Sequence, residues 1–140
     1  MPTEVTSMTR DECWESLQRE EFGRLAYSLD GEVNIVPINY AVDGSRLVFR
    51  TAEGSKLLAI LRGGTVAFEI DAIGEEWATS VIVRGEAVEL PEEEARWADQ
   101  LRLRPWIRSD KQHVVAITPA EISGLRFRVH KPWTSMFPRP

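Results

Sequence analysis

Two aspartate-glycine dipeptides divide the stretch from residue 22 to residue 51 into three short segments rich in strand-forming residues. Asp30-Gly31 and Asp43-Gly44 are dipeptides typical of two-residue β-hairpin turns. We therefore expect three consecutive antiparallel strands at residues 22–29, 33–42 and 46–51, joined as a meander. Parallel strands need connections of about a dozen residues or more, usually a helix, so this spacing argues against a doubly wound parallel fold.

The rest of the chain predicts further strands and a few short helices. Thr9 and Glu12 match a capping box, and apolar residues then recur at helical spacing over residues 10–20. Two more helices are predicted to begin near Ser55 and at Pro91. Four more strands are predicted at residues 65–71, 78–90, 114–118 and 124–129, with Gly85 as a candidate bulge. The pattern indicates a mainly β fold, an antiparallel six- to seven-stranded barrel with flanking helices.

Length and charge limit the kinds of protein that this chain can be. Its 140 residues fit a single domain over 1–140, with a loose N-terminus at 1–8 and an extended C-terminal tail at 131–140. A net charge of -5 argues against binding to nucleic acid, and no apolar run is long enough to cross a membrane. The only cysteine, Cys13, cannot form an internal disulfide, and no signal-peptide pattern precedes it, so we expect a cytoplasmic protein.

The polar segment between a predicted strand and a predicted helix has the features of an anion-binding site. Arg50 and Thr51 end the strand, and Gly54, Ser55 and Lys56 follow directly before the helix. Amides in the first turn of a helix lack internal partners and favour a phosphate. The alternative is that Ser55 only caps the helix and that Lys56 is solvated. The spacing does not match a nucleotide P-loop, so a triphosphate is not predicted.

Pro37 interrupts the second predicted strand. Proline has no backbone N–H to donate to a ladder, so it is confined largely to edge strands and bulges. We therefore expect this part of the strand to lie where something other than a neighbouring strand approaches, and its unpaired backbone groups could serve a ligand.

Seven motifs, in order along almost the whole chain, resemble those of a known family. They are GRLA at 23–26, VPINYAVDG at 36–44, FRTAEGSKL at 49–57, VAFEID at 66–71, WATSVIVRGEA at 77–87, PW at 105–106 and ITPAEISG at 117–124. The set resembles the flavin-binding split β-barrel family of pyridoxamine 5'-phosphate oxidase, in particular its short actinobacterial-type members. The resemblance implies a split β-barrel of Greek-key type.

The resemblance also implies a flavin site and assigns residues to its parts. Ser55 and Lys56 would hold the phosphate of FMN, and Arg50 and Thr51 would lie beside the ribityl chain and the ring. The backbone of Pro37, Ile38 and Asn39 would run along the polar edge of the isoalloxazine. Members of the family share each cofactor site between two subunits, so the resemblance implies a homodimer. The partner chain would then supply Trp77, Ser80 and Trp106.

By the same resemblance, the protein is expected to be an oxidoreductase that transfers a hydride through FMN to or from an unidentified small molecule. A deazaflavin coenzyme is the alternative cofactor. The chain ends in KPWTSMFPRP rather than in the arginine- and histidine-containing segment of the vitamin-forming enzymes. A non-catalytic flavin carrier therefore remains an alternative, as does a haem-binding relative using His130. His113 and His130 lack carboxylate or cysteine neighbours at metal-ligand spacing, so no metal site is predicted.

Overall fold

The computed structural model describes residues 4–52, 60–62, 64–95 and 112–129. Within these ranges the chain forms strands β1 to β8 and helices α1 and α2, together with a helical segment at residues 60–62. The strands are β1 (Val5–Ser7), β2 (Phe22–Leu29), β3 (Glu32–Asn39), β4 (Ala41–Asp43), β5 (Arg46–Ala52), β6 (Thr65–Ile73), β7 (Trp77–Glu89) and β8 (Gln112–Arg128), and the helices are α1 (Arg10–Arg19) and α2 (Glu92–Ala95).

Both predicted hairpin turns are present. Leu29 pairs directly with Glu32, so Asp30 and Gly31 are the two loop residues, and their φ angles are 50° and 79°. Positive φ at both positions matches a type I′ turn, whose twist suits the two flanking strands. The second turn joins β4 to β5, and Gly44 has a φ of 58°.

The predicted strand at residues 33–42 is in fact two strands, separated at Tyr40. β3 pairs with β2, whereas β4 pairs with β5 near the other end of the sheet. The buried Tyr40 causes the break: its amide donates to Glu21 O over 3.0 Å, and its hydroxyl donates to Leu17 O over 2.7 Å. The three-stranded meander was therefore wrong, because the chain crosses between the two hairpins at this residue.

The two strands predicted at 114–118 and 124–129 form one continuous strand, β8. Pro119, which lies between the two predicted segments, is inside β8 at a bulge opposite Gly85. The bulge tolerates the missing amide of proline. Gly85, predicted as a bulge residue from the sequence, is confirmed there by the register shift between Arg84 and Gly85.

The N-terminal residues differ from the expectation of a loose end, since Val5–Ser7 form β1 and pair with β8. This brings the number of described strands to eight, rather than six or seven. Helix α1 has the predicted capping box: Glu12 N donates to Thr9 Oγ1 over 3.2 Å, and Thr9 N donates to Glu12 Oε1 over 2.9 Å. The tail at 131–140 and most of the two other predicted helices lie outside the described residues.

All described strand pairs are antiparallel, in the order β3-β2-β6-β7-β8-β5-β4, with β1 added beside β8. The sheet curls into a half-barrel, so that β3 and β5 contact each other although they are far apart in this order. The predicted mainly β split barrel is confirmed. Helix α1 packs on the inner side of the sheet through Cys13 and Leu17. No helix among the described residues is long and apolar enough to cross a membrane.

The two faces of the curled sheet bury different clusters. The inner cluster is the larger; at its centre the rings of Tyr40 and Phe68 meet edge to face, with centroids 4.8 Å apart. On the opposite face, α2 packs through Ala95 against a smaller cluster formed by Val48, Leu90, Val114 and Ala116. Residues that are adjacent on β5 therefore face different surroundings.

Candidate functional site

The predicted site residues within the described ranges lie on three strands. Pro37, Ile38 and Asn39 end β3, Arg50 and Thr51 lie near the end of β5, and Trp77 and Ser80 begin β7. The other three predicted residues, Ser55, Lys56 and Trp106, lie outside the described residues.

The β3 part of the site lies on an edge strand, as expected from Pro37. Among the described strands β3 ends the sheet order, and Pro37 is paired with Arg24 of β2. Ile38 packs against the inner cluster, whereas Pro37 is exposed on the outer face and Asn39 is half-buried. The edge directed away from β2 is therefore the part of this strand with backbone groups to offer a ligand.

The curl of the sheet brings β3 into contact with β5, the strand that carries the second predicted group. Val36 and Ile38 of β3 pack against the same inner cluster as Leu47 and Phe49 of β5. The sequence could not locate this contact, because the two strands lie near opposite ends of the hydrogen-bonded order.

Arg50 and Thr51 lie side by side on β5 but face opposite sides of the sheet. Arg50 is paired with Val114, on the side of the smaller cluster, and its Nε atom is buried. Thr51 is paired with His113, on the side of Phe49 and the inner cluster. One ligand can reach both side chains only around the end of the strand, which is where both residues lie.

Trp77 and Ser80 are not brought to the β3 and β5 group within the chain. β8 separates β7 from β5, and β6 and β2 separate β7 from β3. The Trp77 side chain is exposed, and Ser80 is half-buried opposite Asp71 and Leu125. Their predicted contribution from a partner chain stays a prediction.

The outer face of the sheet carries exposed apolar side chains around a charged cluster. The guanidinium of Arg24 contacts the carboxylates of Glu69 and Asp71. Its hydrogen bond to Glu69 is the main reason that the pKa of Arg24 is raised. The surrounding side chains share this face through the strand register, and we call them the outer apolar surface: Val33, Ile35, Ile73, Leu125 and Phe127.

Sequence reasoning missed one polar pair next to the predicted site. His113 Nδ1 lies 3.0 Å from Glu89 Oε2, although the two residues are 24 positions apart. The sequence analysis considered only the spacing of ligands along the chain, so it did not reveal this carboxylate. The pairing of β7 with β8 brings Glu89 beside Val115, two residues from His113. Only a correct strand register could have revealed the pair.

The chemistry of the donor set fits an anionic ligand with hydroxyl groups. A guanidinium with a buried Nε, a threonine hydroxyl and an imidazole lie at one end of the β5 and β8 ladder, and the edge strand β3 contacts β5. Such groups serve phosphates and polyols by charge-assisted and neutral hydrogen bonds.

Comparisons with known proteins match most of the chain to one family. The family model described as pyridoxamine 5'-phosphate oxidase matches residues 9–126. The fold is similar to the crystal structure of a candidate pyridoxamine 5'-phosphate oxidase from Corynebacterium glutamicum, with a TM-score of 0.81 and 34% identity, covering 93% of this chain and 98% of that one. It is also similar to an FAD-binding protein from Mycobacterium smegmatis, with a TM-score of 0.77 and 36% identity, covering 89% of this chain and 100% of that one.

The protein Rv0080 of Mycobacterium tuberculosis is 33% identical to this chain over 132 residues. The match covers 88% of this chain and 86% of the relative. The similarity therefore extends over the whole barrel rather than over one motif.

Proposed function

The chain belongs to the pyridoxamine 5'-phosphate oxidase family, and from that premise we propose that it binds a flavin and acts as a flavin-dependent oxidoreductase on a small molecule. The observation that carries the proposal is the contact between the edge strand β3, which contains Pro37, and β5, which carries Arg50 and Thr51 near its end. A bound flavin would supply the hydride chemistry, and the chain would supply binding, orientation and electrostatics.

Each part of the proposed ligand has a matching group in the chain. The Arg50 guanidinium offsets cofactor charge, and Thr51 offers a hydroxyl to the ribityl chain. Backbone groups of β3 at residues 37–39 serve the carbonyls and nitrogens at the polar edge of the ring. Ser55 and Lys56 follow the end of β5 after Glu53 and Gly54 in the sequence, and we assign them to the phosphate.

FMN is the cofactor we propose first, with FAD and a deazaflavin coenzyme as competitors. The M. smegmatis relative is described as an FAD-binding protein, and FAD contains the isoalloxazine, ribityl chain and first phosphate of FMN. Titration of apo-protein with FMN, FAD, the deazaflavin coenzyme and riboflavin, followed by tryptophan fluorescence, ranks the four. The absence of binding by all four would refute the proposal.

The Arg50→Ala variant tests whether β5 contributes to the proposed flavin site. Arg50→Ala is expected to weaken FMN binding about 10- to 150-fold, because hydrogen bonds to charged groups contribute about 1.5 to 3 kcal/mol. Arg19→Ala is the matched control, since Arg19 is an exposed arginine in the last turn of α1. Equal FMN affinities of the Arg50 and Arg19 variants would exclude Arg50 from the site.

We further propose a homodimer that buries the outer apolar surface. Val33 and Ile35 are 79% and 65% exposed and Ile73 is 76% exposed, all on one face. Burial of one such side chain contributes roughly 1.5 to 3 kcal/mol, so covering this surface with a second copy is favourable. Ser80 lies on this face, opposite Asp71 and Leu125, whereas the register places Trp77 on the other face at the start of the same strand. We propose that both are donated to the partner's cofactor site from this end of β7.

Catalytic turnover of the bound flavin distinguishes an oxidoreductase from a non-catalytic flavin carrier. An oxidoreductase reduces and reoxidises its bound flavin rapidly in the presence of its substrate, whereas a carrier binds it tightly without such a reaction. Anaerobic reduction of the bound flavin, followed by rapid mixing with candidate acceptors, measures this. Slow reoxidation by every acceptor, at the rate of free flavin, would favour the carrier.

A further inference from the structure

The pair formed by His113 and Glu89 is a polar feature that the proposed function has not used. Glu89 is the last residue of β7, and its Oε2 atom lies 3.0 Å from His113 Nδ1 on β8. The two side chains are 39% and 27% exposed, so the pair is held in place but accessible to solvent. Because Glu89 occupies Nδ1, the ring nitrogen left to serve a ligand is Nε2.

The pair lies on the same side of the sheet as Thr51. His113 is the direct cross-strand partner of Thr51, and Phe49, Val115 and Glu89 form the preceding row of the ladder. Paired residues in an antiparallel ladder have side chains on the same face, about 4.5 to 5.5 Å apart at Cβ. A ligand that contacts the Thr51 hydroxyl is therefore within reach of the His113 ring.

The charged surroundings of His113 are simple. On β7 the charged group that faces it is Glu89, and on β5 its neighbour is the uncharged Thr51. Arg50 faces the other side of the sheet, where α2 with its glutamates also packs through Ala95. The helical segment at residues 60–62 packs on the inner cluster through Ile60 and Leu61 and carries the exposed Arg62, so the charged groups described on this side of the sheet include Arg62 besides His113 and Glu89.

We propose that His113, oriented by Glu89, is a further cofactor-binding residue that donates a hydrogen bond from Nε2 to the phosphate of the flavin. This inference rests on the proposed function and deepens it. With Nδ1–H donated to Glu89, a neutral ring offers only a lone pair at Nε2, which cannot donate to a phosphate oxygen. Protonation supplies the donor, so binding of the phosphate and protonation of His113 strengthen each other by linkage.

The first test follows the histidine directly by NMR. The chain has two histidines, so the ring signal of His113 is assigned by its loss in His113→Gln. FMN is expected to raise the titration midpoint of this signal by about one pH unit, which corresponds to tenfold tighter FMN binding by the protonated form. Riboflavin, which lacks the phosphate, is expected to leave the midpoint unchanged.

The second test measures affinity. Between about pH 8.5 and about pH 5.5, the ratio of FMN affinity to riboflavin affinity is expected to rise about tenfold more in the wild type than in His113→Gln. Comparison with this variant removes the contribution of the phosphate's own titration. Glu89→Gln is expected to reduce this difference, because the ring loses its charged anchor. Glu121→Gln, an exposed carboxylate on β8 beside Arg84, is the matched control.

Three outcomes decide the question. A midpoint shift with FMN but not with riboflavin, together with a pH-dependent affinity ratio that His113→Gln reduces, supports the inference. Flavin binding with equal midpoints for FMN and riboflavin overturns it and leaves the proposed function intact. Failure of the wild-type protein to bind any flavin overturns the proposed function itself, and the inference with it.

Discussion

Gly85 is the residue at which a single methyl group should most disturb the barrel. A Cβ atom added there would lie 2.1 Å from Thr118 O and 2.9 Å from Thr118 C, both in the backbone of β8. Neither atom can swing away as the end of a side chain can. The bulge at this point would have to open by about 1.4 Å to move this atom pair from 2.1 Å to an ordinary contact of about 3.5 Å.

The expected cost follows from this geometry. Overpacking of a tightly packed site costs roughly 1 to 3 kcal/mol, and a clash with backbone belongs at the upper end of that range. Alanine is less flexible than glycine in the unfolded chain, and this difference offsets the loss of stability by about 0.4 to 1 kcal/mol. We expect Gly85→Ala to lower the free energy of unfolding by about 2 kcal/mol and the melting temperature by about 4 to 8 °C.

Urea unfolding followed by tryptophan fluorescence measures this loss. Gly124→Ala is the control, because its added Cβ would meet the side-chain sulfurs of Cys13 at 2.6 Å and Met8 at 3.0 Å, and the Met8 side chain can move. We expect a smaller loss, about 1 kcal/mol. If Gly85→Ala unfolds within about 0.5 kcal/mol of the wild type, the close approach of β7 and β8 at the bulge does not constrain the fold as argued.

The remaining predictions concern assembly, pH dependence and the strand break. Ile35→Asp is expected to yield monomers by light scattering, whereas Leu29→Asp at the tip of the same hairpin leaves the dimer intact; a dimeric Ile35→Asp would place the interface elsewhere. Hydrogen bonds from the N-cap backbone amide and from Arg126 lower the pKa of Glu12, so its stabilising contribution is present above its unfolded pKa and disappears as pH falls through the lower folded value. Urea midpoints of the wild type and Glu12→Gln should therefore differ near pH 7 and converge in acid, and a gap that persists in acid would contradict this assignment. Tyr40→Phe should cost about 1 to 2 kcal/mol in urea unfolding, because it leaves a buried carbonyl of α1 without its donor; an unchanged midpoint would show that this hydrogen bond contributes little.

The local elements were predictable because their signals depend on near neighbours. The Asp30-Gly31 dipeptide sets a turn through the φ angles it tolerates, and Thr9 with Glu12 closes a capping box within one turn of helix. Gly85 marked a bulge, and Pro37 marked an edge strand, because each changes what the backbone can pair with. These signals together predicted a mainly antiparallel barrel.

The tertiary structure alone decided which distant segments meet. Tyr40 separates β3 from β4 because its hydroxyl donates to a buried carbonyl on α1, and after this break β4 lies at the far end of the sheet. The contact of β3 with β5 follows from the curl of the sheet, and His113 meets Glu89 through the register of β7 and β8. Residue types alone do not specify such a register, because a shift of two residues preserves every inward and outward side chain. The candidate site is built from these long-range pairings, so the sequence could propose residues for it, but their arrangement, and the pair formed by His113 and Glu89, required the folded chain.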